Sequence, residues 1–252
     1  MTAWGQVDMA RSQVFGEVAE LYAAARPGYA DALAAEVLAY ADPGGRTAVE
    51  VGAGTGKATV AFAAPGPSVV CIEPDPRMAR VLRRNTSRHP GVRVPGGSFA
   101  ERRPGGRRSG LLFAATPWHW VDPVRRRDLV RDALVPGGGG GVVLEPAGGA
   151  RHAGDRSPHR EPASAYGDVP ENRAGQPGWP EQECRRDGAS PTCVPSGTGR
   201  SSTTTPAATW ATRPRSPATA SCRPTDTAQV LDAHGGGIEM DHFSDLFLAR
   251  AG

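Results

Sequence analysis

The sequence predicts an α/β domain with a doubly wound, mostly parallel sheet, and three observations support this. Short apolar runs alternate with helix-like segments as far as residue 145. The first run ends in a glycine-rich turn, residues 50–56, that leads directly into a helix-like segment. The second run, residues 68–73, ends in a carboxylate about 20 residues further on. A strand, a glycine turn and a helix in this order are typical of nucleotide-type α/β folds.

The N-terminal segment predicts two helices ahead of this turn. Apolar residues form one helical stripe over residues 12–25, and a second stripe extends over residues 30–41. The breaks at residues 26–29 and 42–45 contain proline and glycine, which end helices. After the glycine turn, residues 57–64 are predicted to form the next helix.

The second half of the predicted sheet has equally clear boundaries. Asp75 and Pro76 provide an N-cap and a first-turn proline for a helix that continues to about residue 87. Asp122 with Pro123 repeats that signal for a helix reaching Leu134. Further strands are predicted at residues 91–94, 111–116 and 142–145, with closing strand material at 238–243 and 246–250.

Composition limits the classes of protein that fit this chain. Its 252 residues suit one α/β domain or one domain with an appendage. The 38% hydrophobic content is low, and 33 Gly with 24 Pro indicate that part of the chain cannot build a core. The net charge of +3 is too mild to demand a nucleic-acid partner. Of the 29 basic residues only Lys57 is lysine, a bias typical of a GC-rich genome, so arginine clusters are not interpreted as functional.

The chain carries no pattern of a targeting, membrane or metal-binding protein. Residues 1–8 lack the basic and apolar regions of a signal peptide, and no apolar run approaches the ~18 residues of a membrane span. The four cysteines form no C-x-x-C pair, and Cys71 lies within an apolar strand. We therefore expect a cytoplasmic protein without a metal site or a membrane partner.

The spacing of the three glycines decides between possible ligands. Gly52, Gly54 and Gly56 form G-x-G-x-G, whereas a dinucleotide fingerprint is G-x-G-x-x-G. A phosphate loop would require a glycine in place of Val51 and a hydroxyl residue in place of Ala58. Alternate glycines permit positive φ angles and remove side chains between the backbone and a ligand. The turn is therefore expected to contact a ligand that is not held by its phosphates.

This E-x-G-x-G-x-G turn resembles motif I of the class I S-adenosylmethionine (SAM) methyltransferases, which have a Rossmann-like fold. The segment Y-x-x-x-R-P-x-Y at residues 22–29 resembles the type 11 subfamily, in which such an arm folds over the SAM pocket. The P-W-H-W-V segment at 117–121 and the L-x-P-G-G turn at 134–138 are also similar to family motifs. The resemblance covers residues 15–145 and 228–250; Ser109 and Gly110 replace the aromatic-Asp pair that the family usually has there.

The resemblance implies SAM as the cofactor and assigns site residues. Glu50 would orient the turn and the amino group of SAM, and Glu73 would hold the ribose. His119 would orient a nucleophile or accept its proton. The structural alternatives are helix packing for Tyr22, packing for His119, helix capping for Glu50 and solvation for Glu73. The cofactor-binding residues are Glu50, Gly52, Ala53, Gly54, Thr55, Gly56, Glu73, Pro74, Ser98, Phe99, Ala115 and Thr116, and the substrate-pocket residues are Tyr22, Arg26, Tyr29, Trp118 and Trp120.

Four regions follow from these patterns: an N-terminal helical arm (1–45), a SAM-binding core (46–147), a low-complexity stretch (148–227) and a closing segment (228–252). The third region lacks large aliphatic residues, so it is predicted to be disordered. One explanation is a natural insertion. The explanation we favour is a stretch read in a shifted frame from about residue 148 to 227, which translation of the other frames tests.

The function predicted from these residues is SAM-dependent methyl transfer to a small-molecule acceptor, achieved by proximity and orientation. We expect no nucleic-acid partner. Three alternatives remain open: a SAM-binding remnant without substrate-side elements, an NAD-linked oxidoreductase, and an RNA-binding protein that uses the arginine-rich middle stretch.

Overall fold

The computed structural model describes most of the first 144 residues and five later strand segments. The described residues are 16–101, 108–115, 118, 121–122, 124–144, 150–151, 192–194, 200–204, 238–242 and 245–250.

Five α-helices and ten strands lie within the described residues. The helices are α1 (Ala19–Ala25), α2 (Asp31–Ala41), α3 (Lys57–Ala63), α4 (Pro76–Asn85) and α5 (Arg126–Ala133), with a 3-10 turn at Phe99–Glu101. The strands are β1 (Ala48–Val51), β2 (Val69–Ile72), β3 (Val92–Arg93), β4 (Ser109–Ala115), β5 (Leu134–Leu144), β6 (Ala150–Arg151), β7 (Thr192–Val194), β8 (Arg200–Thr204), β9 (Ile238–His242) and β10 (Asp245–Arg250).

The main sheet has seven strands in the order β3-β2-β1-β4-β5-β10-β7. The five strands from β3 to β5 are parallel, and β10 runs antiparallel to both of its neighbours. A second sheet, β6-β9-β8, is antiparallel throughout. The predicted fold class, a doubly wound and mostly parallel sheet with helices around it, is confirmed.

Two apolar clusters cover the two faces of the main sheet, because alternate residues of each strand point to opposite faces. Ala48 of β1 packs with α2 and α3 on one face, whereas Val49 packs with α5 on the other. The rings of Phe62 from α3 and Phe113 from β4 stack at a centroid distance of 3.9 Å. These clusters fix the helices against the sheet and so fix the loops that connect them.

One predicted boundary is wrong, and another is shifted by about one turn. Helix α5 begins at Arg126, although Asp122 makes the predicted capping contact: its Oδ1 accepts the Val124 N–H at 2.9 Å, and its carbonyl oxygen accepts the Arg126 N–H at 2.8 Å. Strand β5 begins at Leu134 rather than 142, since Leu134 already aligns with Ser109 of β4. The predicted turn is present as a break in the pairing register between β4 and β5, and Gly137 within it has a φ of +75°.

The C-terminal strands divide between the two sheets. Strand β10 completes the main sheet beside β5, as predicted for the closing strand. Strand β9 instead pairs with β6 and β8. Strands β6, β7 and β8 fall within region 148–227, and the helix end predicted at 230–236 lies outside the described residues. The hypotheses about that region stay predictions. None of the described helices is long and apolar enough to cross a membrane.

Candidate functional site

The glycine turn lies where the strand order of the main sheet reverses. Residues 52–56 connect the carboxyl end of β1 to α3, and β1 lies between β2 and β4 in the parallel part of the sheet. Chains leaving β1 and β4 diverge to opposite faces of the sheet, which opens a crevice at the carboxyl ends of the strands. Ligands of open α/β sheets bind at this position.

The three glycines adopt the conformations that the sequence predicts, but they do not serve one purpose. The φ angles of Gly52, Gly54 and Gly56 are +65°, +56° and +89°, a region that side chains rarely occupy. A Cβ at Gly54 would meet none of the described atoms within 4 Å, so this residue faces open space. A Cβ at Gly56 would lie 2.7 Å from Leu82 Cδ1. Because glycine has no side chain, α4 can pack closely against this residue. Contact between Gly56 and a ligand stays a prediction.

Glu73 at the end of β2 is bonded directly to the turn. Its Oε2 accepts the Gly54 N–H at 2.7 Å, and its Oε1 accepts the Asp75 N–H at 2.9 Å. Burial raises the pKa of this carboxyl above its ordinary value, and the two backbone N–H groups oppose that shift. The predicted alternative of a solvated Glu73 is therefore wrong in this structure, since the side chain is 7% exposed. The ribose contact itself stays a prediction.

The Glu50 side chain is buried and contacts residues of α3 and β2. Its Oε2 accepts the Thr59 hydroxyl at 2.6 Å, and Cys71 Sγ lies 3.7 Å from the same oxygen. Glu50 is 1% exposed, and burial raises the pKa of its carboxyl to about 8. In the folded protein this side chain is therefore mainly protonated at neutral pH. A contact between Glu50 and the amino group of a ligand stays a prediction.

The last residue of α4 also contacts the turn. Asn85 Nδ2 donates to the Thr55 carbonyl oxygen at 2.8 Å. The Thr55 hydroxyl is buried and has no hydrogen-bond partner among the described residues. Sequence reasoning missed Asn85 because a polar residue at the end of a predicted helix carries no signal of a tertiary partner. The predicted Asp75 cap at the other end of α4 is confirmed, as Asp75 Oδ1 accepts the Arg77 N–H at 2.8 Å.

The N-terminal arm lies beside the turn. Tyr22 of α1 packs against the small cluster containing Met78 and Val81 of α4, so the helix-packing alternative applies to it. The Arg26 guanidinium lies 5.4 Å from the centre of the Tyr22 ring. Tyr29 is buried in the cluster under α2 and α3. The charge of Arg26 lies near Lys57, the residue that directly follows the turn.

Lys57 follows the glycines directly and is half-buried. Burial lowers the pKa of its ammonium group, and the nearby Arg26 charge lowers it further. A cleft of about 550 Å³ opens between α1, α3 and the end of α4. Its lining residues are Glu20, Ala23, Ala24, Gly28, Gly56, Lys57, Val60, Arg84 and Asn85.

Trp118 lies close to the end of β4, and its ring is held by α5. It is 8% exposed, and the Arg126 guanidinium lies 5.7 Å from its ring centre. Arg126 Nη1 also donates to the Trp118 carbonyl oxygen at 3.4 Å, and Arg126 itself is buried. The structure thus packs Trp118 into the second core cluster, and sequence reasoning missed the supporting Arg126. His119, Trp120 and Thr116 lie outside the described residues.

The remaining predicted cofactor residues lie at the ends of neighbouring strands. Ala53 is buried within the turn, Pro74 is exposed next to Glu73, and Ala115 is the half-buried last residue of β4. Phe99 packs into the same cluster as Ile72, Val49 and Val51. Ser98 Oγ accepts the Ala100 N–H at 3.1 Å. Among the described residues, no group of three or more His, Cys, Asp or Glu side chains could hold a metal ion.

Sequence comparison relates half of the chain to known proteins. Uncharacterized methyltransferases from Mycobacterium tuberculosis and Mycobacterium bovis are each 35% identical to it over 131 residues. The match covers 51% of this chain and 51% of each relative, so the chain spans about half the length of the curated relatives it matches. No family model matches the sequence.

Solved structures share the fold over a larger part of the chain. A candidate type II methyltransferase from Anaeromyxobacter dehalogenans has a TM-score of 0.59 at 18% identity, covering 89% of this chain and 97% of that one. Haemonchus contortus phosphoethanolamine N-methyltransferase 2, solved with phosphomonomethylethanolamine and S-adenosylhomocysteine, has a TM-score of 0.56 at 14% identity. That match covers 100% of this chain and 60% of the other. The matched half of the chain is thus similar in sequence to these methyltransferases, and the solved structures share its fold.

Proposed function

We propose that this chain binds SAM at the glycine turn and transfers its methyl group to a small-molecule acceptor. The observation that carries the proposal is the turn itself. It lies at the reversal of strand order, it is open at Gly54, and the Gly54 N–H is bonded to Glu73 at 2.7 Å. A carboxylate at the end of β2 beside an open glycine turn suits a ligand with a ribose, and the G-x-G-x-G spacing is not that of a dinucleotide fingerprint.

The described residues fit SAM in three respects. The open face of Gly54 lets the methionine part of the ligand approach the backbone closely. Each Glu73 oxygen accepts one backbone N–H and keeps capacity for a ribose hydroxyl. The backbone at Ser98 and Phe99, two strands away from the turn, is the proposed adenine side. When bound, SAM supplies a methyl group made electrophilic by its sulfonium.

The chain's own residues would act by orienting the reactants. Since the methyl group is already activated, the protein needs to hold the acceptor in line with it and to exclude water. Trp118, fixed by Arg126, is proposed to form part of the wall beside the acceptor. His119 is proposed to orient the acceptor or to accept its proton. The mild net charge of +3 favours a small acceptor over a nucleic acid.

Calorimetry on the full chain tests cofactor binding. SAM and S-adenosylhomocysteine are expected to bind, and NAD is not. Glu73→Gln would place an amide N–H against a backbone N–H and remove a charge-assisted bond, so we expect affinity to fall by about 10- to 100-fold. Glu36→Gln, the same exchange on half-exposed α2, is the matched control and is expected to bind normally. Tighter binding of NAD than of SAM would contradict the proposal.

Methyl transfer is tested separately with SAM labelled in the methyl group. When the full chain is added to a cell extract with this SAM, the label is expected to enter low-molecular-weight material and not RNA or protein. Label in RNA or protein would refute the small-molecule assignment. Binding of SAM without any transfer would instead support the alternative of a SAM-binding protein without turnover.

A further inference from the structure

The C-terminal end of α4 packs directly against the glycine turn. A Cβ at Gly56 would lie 2.7 Å from Leu82 Cδ1 and 3.4 Å from Thr86 Cγ2, so the turn and the helix end are in close contact. Asn85 adds a hydrogen bond from Nδ2 to the Thr55 carbonyl oxygen at 2.8 Å. The turn thus has a polar partner on the α4 side as well as Glu73 on the β2 side.

Hydrogen bonds fix two peptide groups of the turn, Ala53–Gly54 and Thr55–Gly56, at both of their ends. In the first, the Gly54 N–H donates to Glu73 and the Ala53 carbonyl accepts the Gly56 N–H at 2.9 Å. In the second, that same Gly56 N–H is the donor and the Thr55 carbonyl accepts from Asn85. Since glycine has a wide choice of φ and ψ, a turn with glycines at alternate positions depends on such bonds to stay in one conformation.

Asn85 is not needed to complete the end of α4. The helix cap is Thr86, whose backbone N–H and hydroxyl both bond to the Leu82 carbonyl oxygen, the hydroxyl at 2.8 Å. The Asn85 side chain instead reaches a residue that is 30 positions away in sequence. Its role therefore concerns the turn and not the helix.

We propose that Asn85 is a positioning residue for the SAM site: it holds the Thr55–Gly56 peptide so that the turn is already in its binding conformation before the ligand arrives. This inference rests on the proposed function. A turn that is ordered in advance loses less conformational entropy on binding, so its ligand binds more tightly. Asn85 acts through the turn backbone and touches no reacting atom.

Two substitutions separate the hydrogen bond from the shape of the side chain. Asn85→Asp keeps the shape but removes the donor, and Asn85→Ala removes both. If the bond matters, both variants weaken S-adenosylhomocysteine binding by about fivefold or more in calorimetry, because one hydrogen bond is lost. Asn85→Asp is expected to be the weaker binder, since its carboxylate faces the Thr55 carbonyl oxygen. Amide hydrogens of residues 52–56 are expected to exchange faster in both variants without ligand.

Thr86→Val is the matched structural control. It removes the hydroxyl bond to Leu82 at the same helix end and leaves the Asn85 bond in place. It is expected to lower the thermal midpoint and to leave the affinity unchanged. Normal binding by Asn85→Asp, or equal losses in Asn85→Asp and Thr86→Val, would overturn the proposal. Failure of the wild-type chain to bind S-adenosylhomocysteine would instead overturn the proposed function, and this inference with it.

Discussion

Replacing Glu50 with glutamine is expected to flatten the pH dependence of folding stability. In the folded protein the buried Glu50 carboxyl has a pKa of about 8, raised from an ordinary 4.5 by burial. Between these values the folded state binds one more proton than the unfolded state, so rising pH favours unfolding. The glutamine variant keeps an acceptor oxygen for the Thr59 hydroxyl and has no proton to lose.

The size of the effect follows from linkage. Each pH unit in this window costs the wild-type protein up to about 1.4 kcal/mol, and from pH 5 to 8 the loss from Glu50 amounts to about 3 to 4 kcal/mol. The pKa of Glu73 is also raised, and that residue titrates in both proteins. The difference between the two curves therefore reports Glu50 together with its charge interaction with Glu73.

Urea denaturation of both proteins at pH 5, 6, 7 and 8 measures this difference. The free energy of unfolding of the wild-type protein should fall relative to that of Glu50→Gln as pH rises, with most of the change below pH 8. Glu36→Gln on the half-exposed surface of α2 should follow the wild-type curve. Parallel curves for wild type and Glu50→Gln would refute the reasoning, because they would mean that Glu50 titrates alike in both states.

Three further outcomes are expected. Gly56→Ala should lower the free energy of unfolding by about 2 kcal/mol or more in urea denaturation, because φ is +89° and the new Cβ would meet Leu82 at 2.7 Å; an unchanged midpoint would contradict the packing of α4 on the turn. Glu20→Gln breaks an exposed ion pair with Arg84 and should leave the thermal midpoint nearly unchanged, so a large drop would show that α1 depends on that pair. Since Lys57 is the only lysine, its methylated amine can be followed by NMR during a pH titration, and its pKa should lie below the ordinary 10.5; a value at or above 10.5 would contradict its burial.

Sequence reasoning located the candidate site because its signals are local. The glycines at 52, 54 and 56 permit positive φ whatever surrounds them, and all three have it. The Asp75 cap depends on two neighbouring residues and is also confirmed. The Asp122 cap is local in the same way, since its Oδ1 accepts the Val124 N–H, although the regular helix begins only at Arg126.

The partners of the site residues were not predictable in the same way. Glu50 is the third residue of β1 and Glu73 follows β2, yet the first bonds to Thr59 of α3 and the second to the turn. Strand alternation decides which face each side chain occupies, and the packed neighbour on that face decides what it bonds to. The partner of the Trp118 ring was equally unpredictable from the sequence, because Arg126 lies against the ring only through the packing of α5.

The sequence by itself determined the order of helices and strands, the glycine turn and the acid at the end of β2, because these follow from residue type and short-range spacing. Only the tertiary structure decided that Gly54 faces open space while α4 packs against Gly56, and that Glu73 and Asn85 both hydrogen-bond to the turn. Gly54 and Glu73 are 19 residues apart, and Thr55 and Asn85 are 30 apart. Contacts over such separations depend on how the sheet and helices pack together. That packing is driven by burial of the two apolar clusters, which contain residues from many parts of the chain.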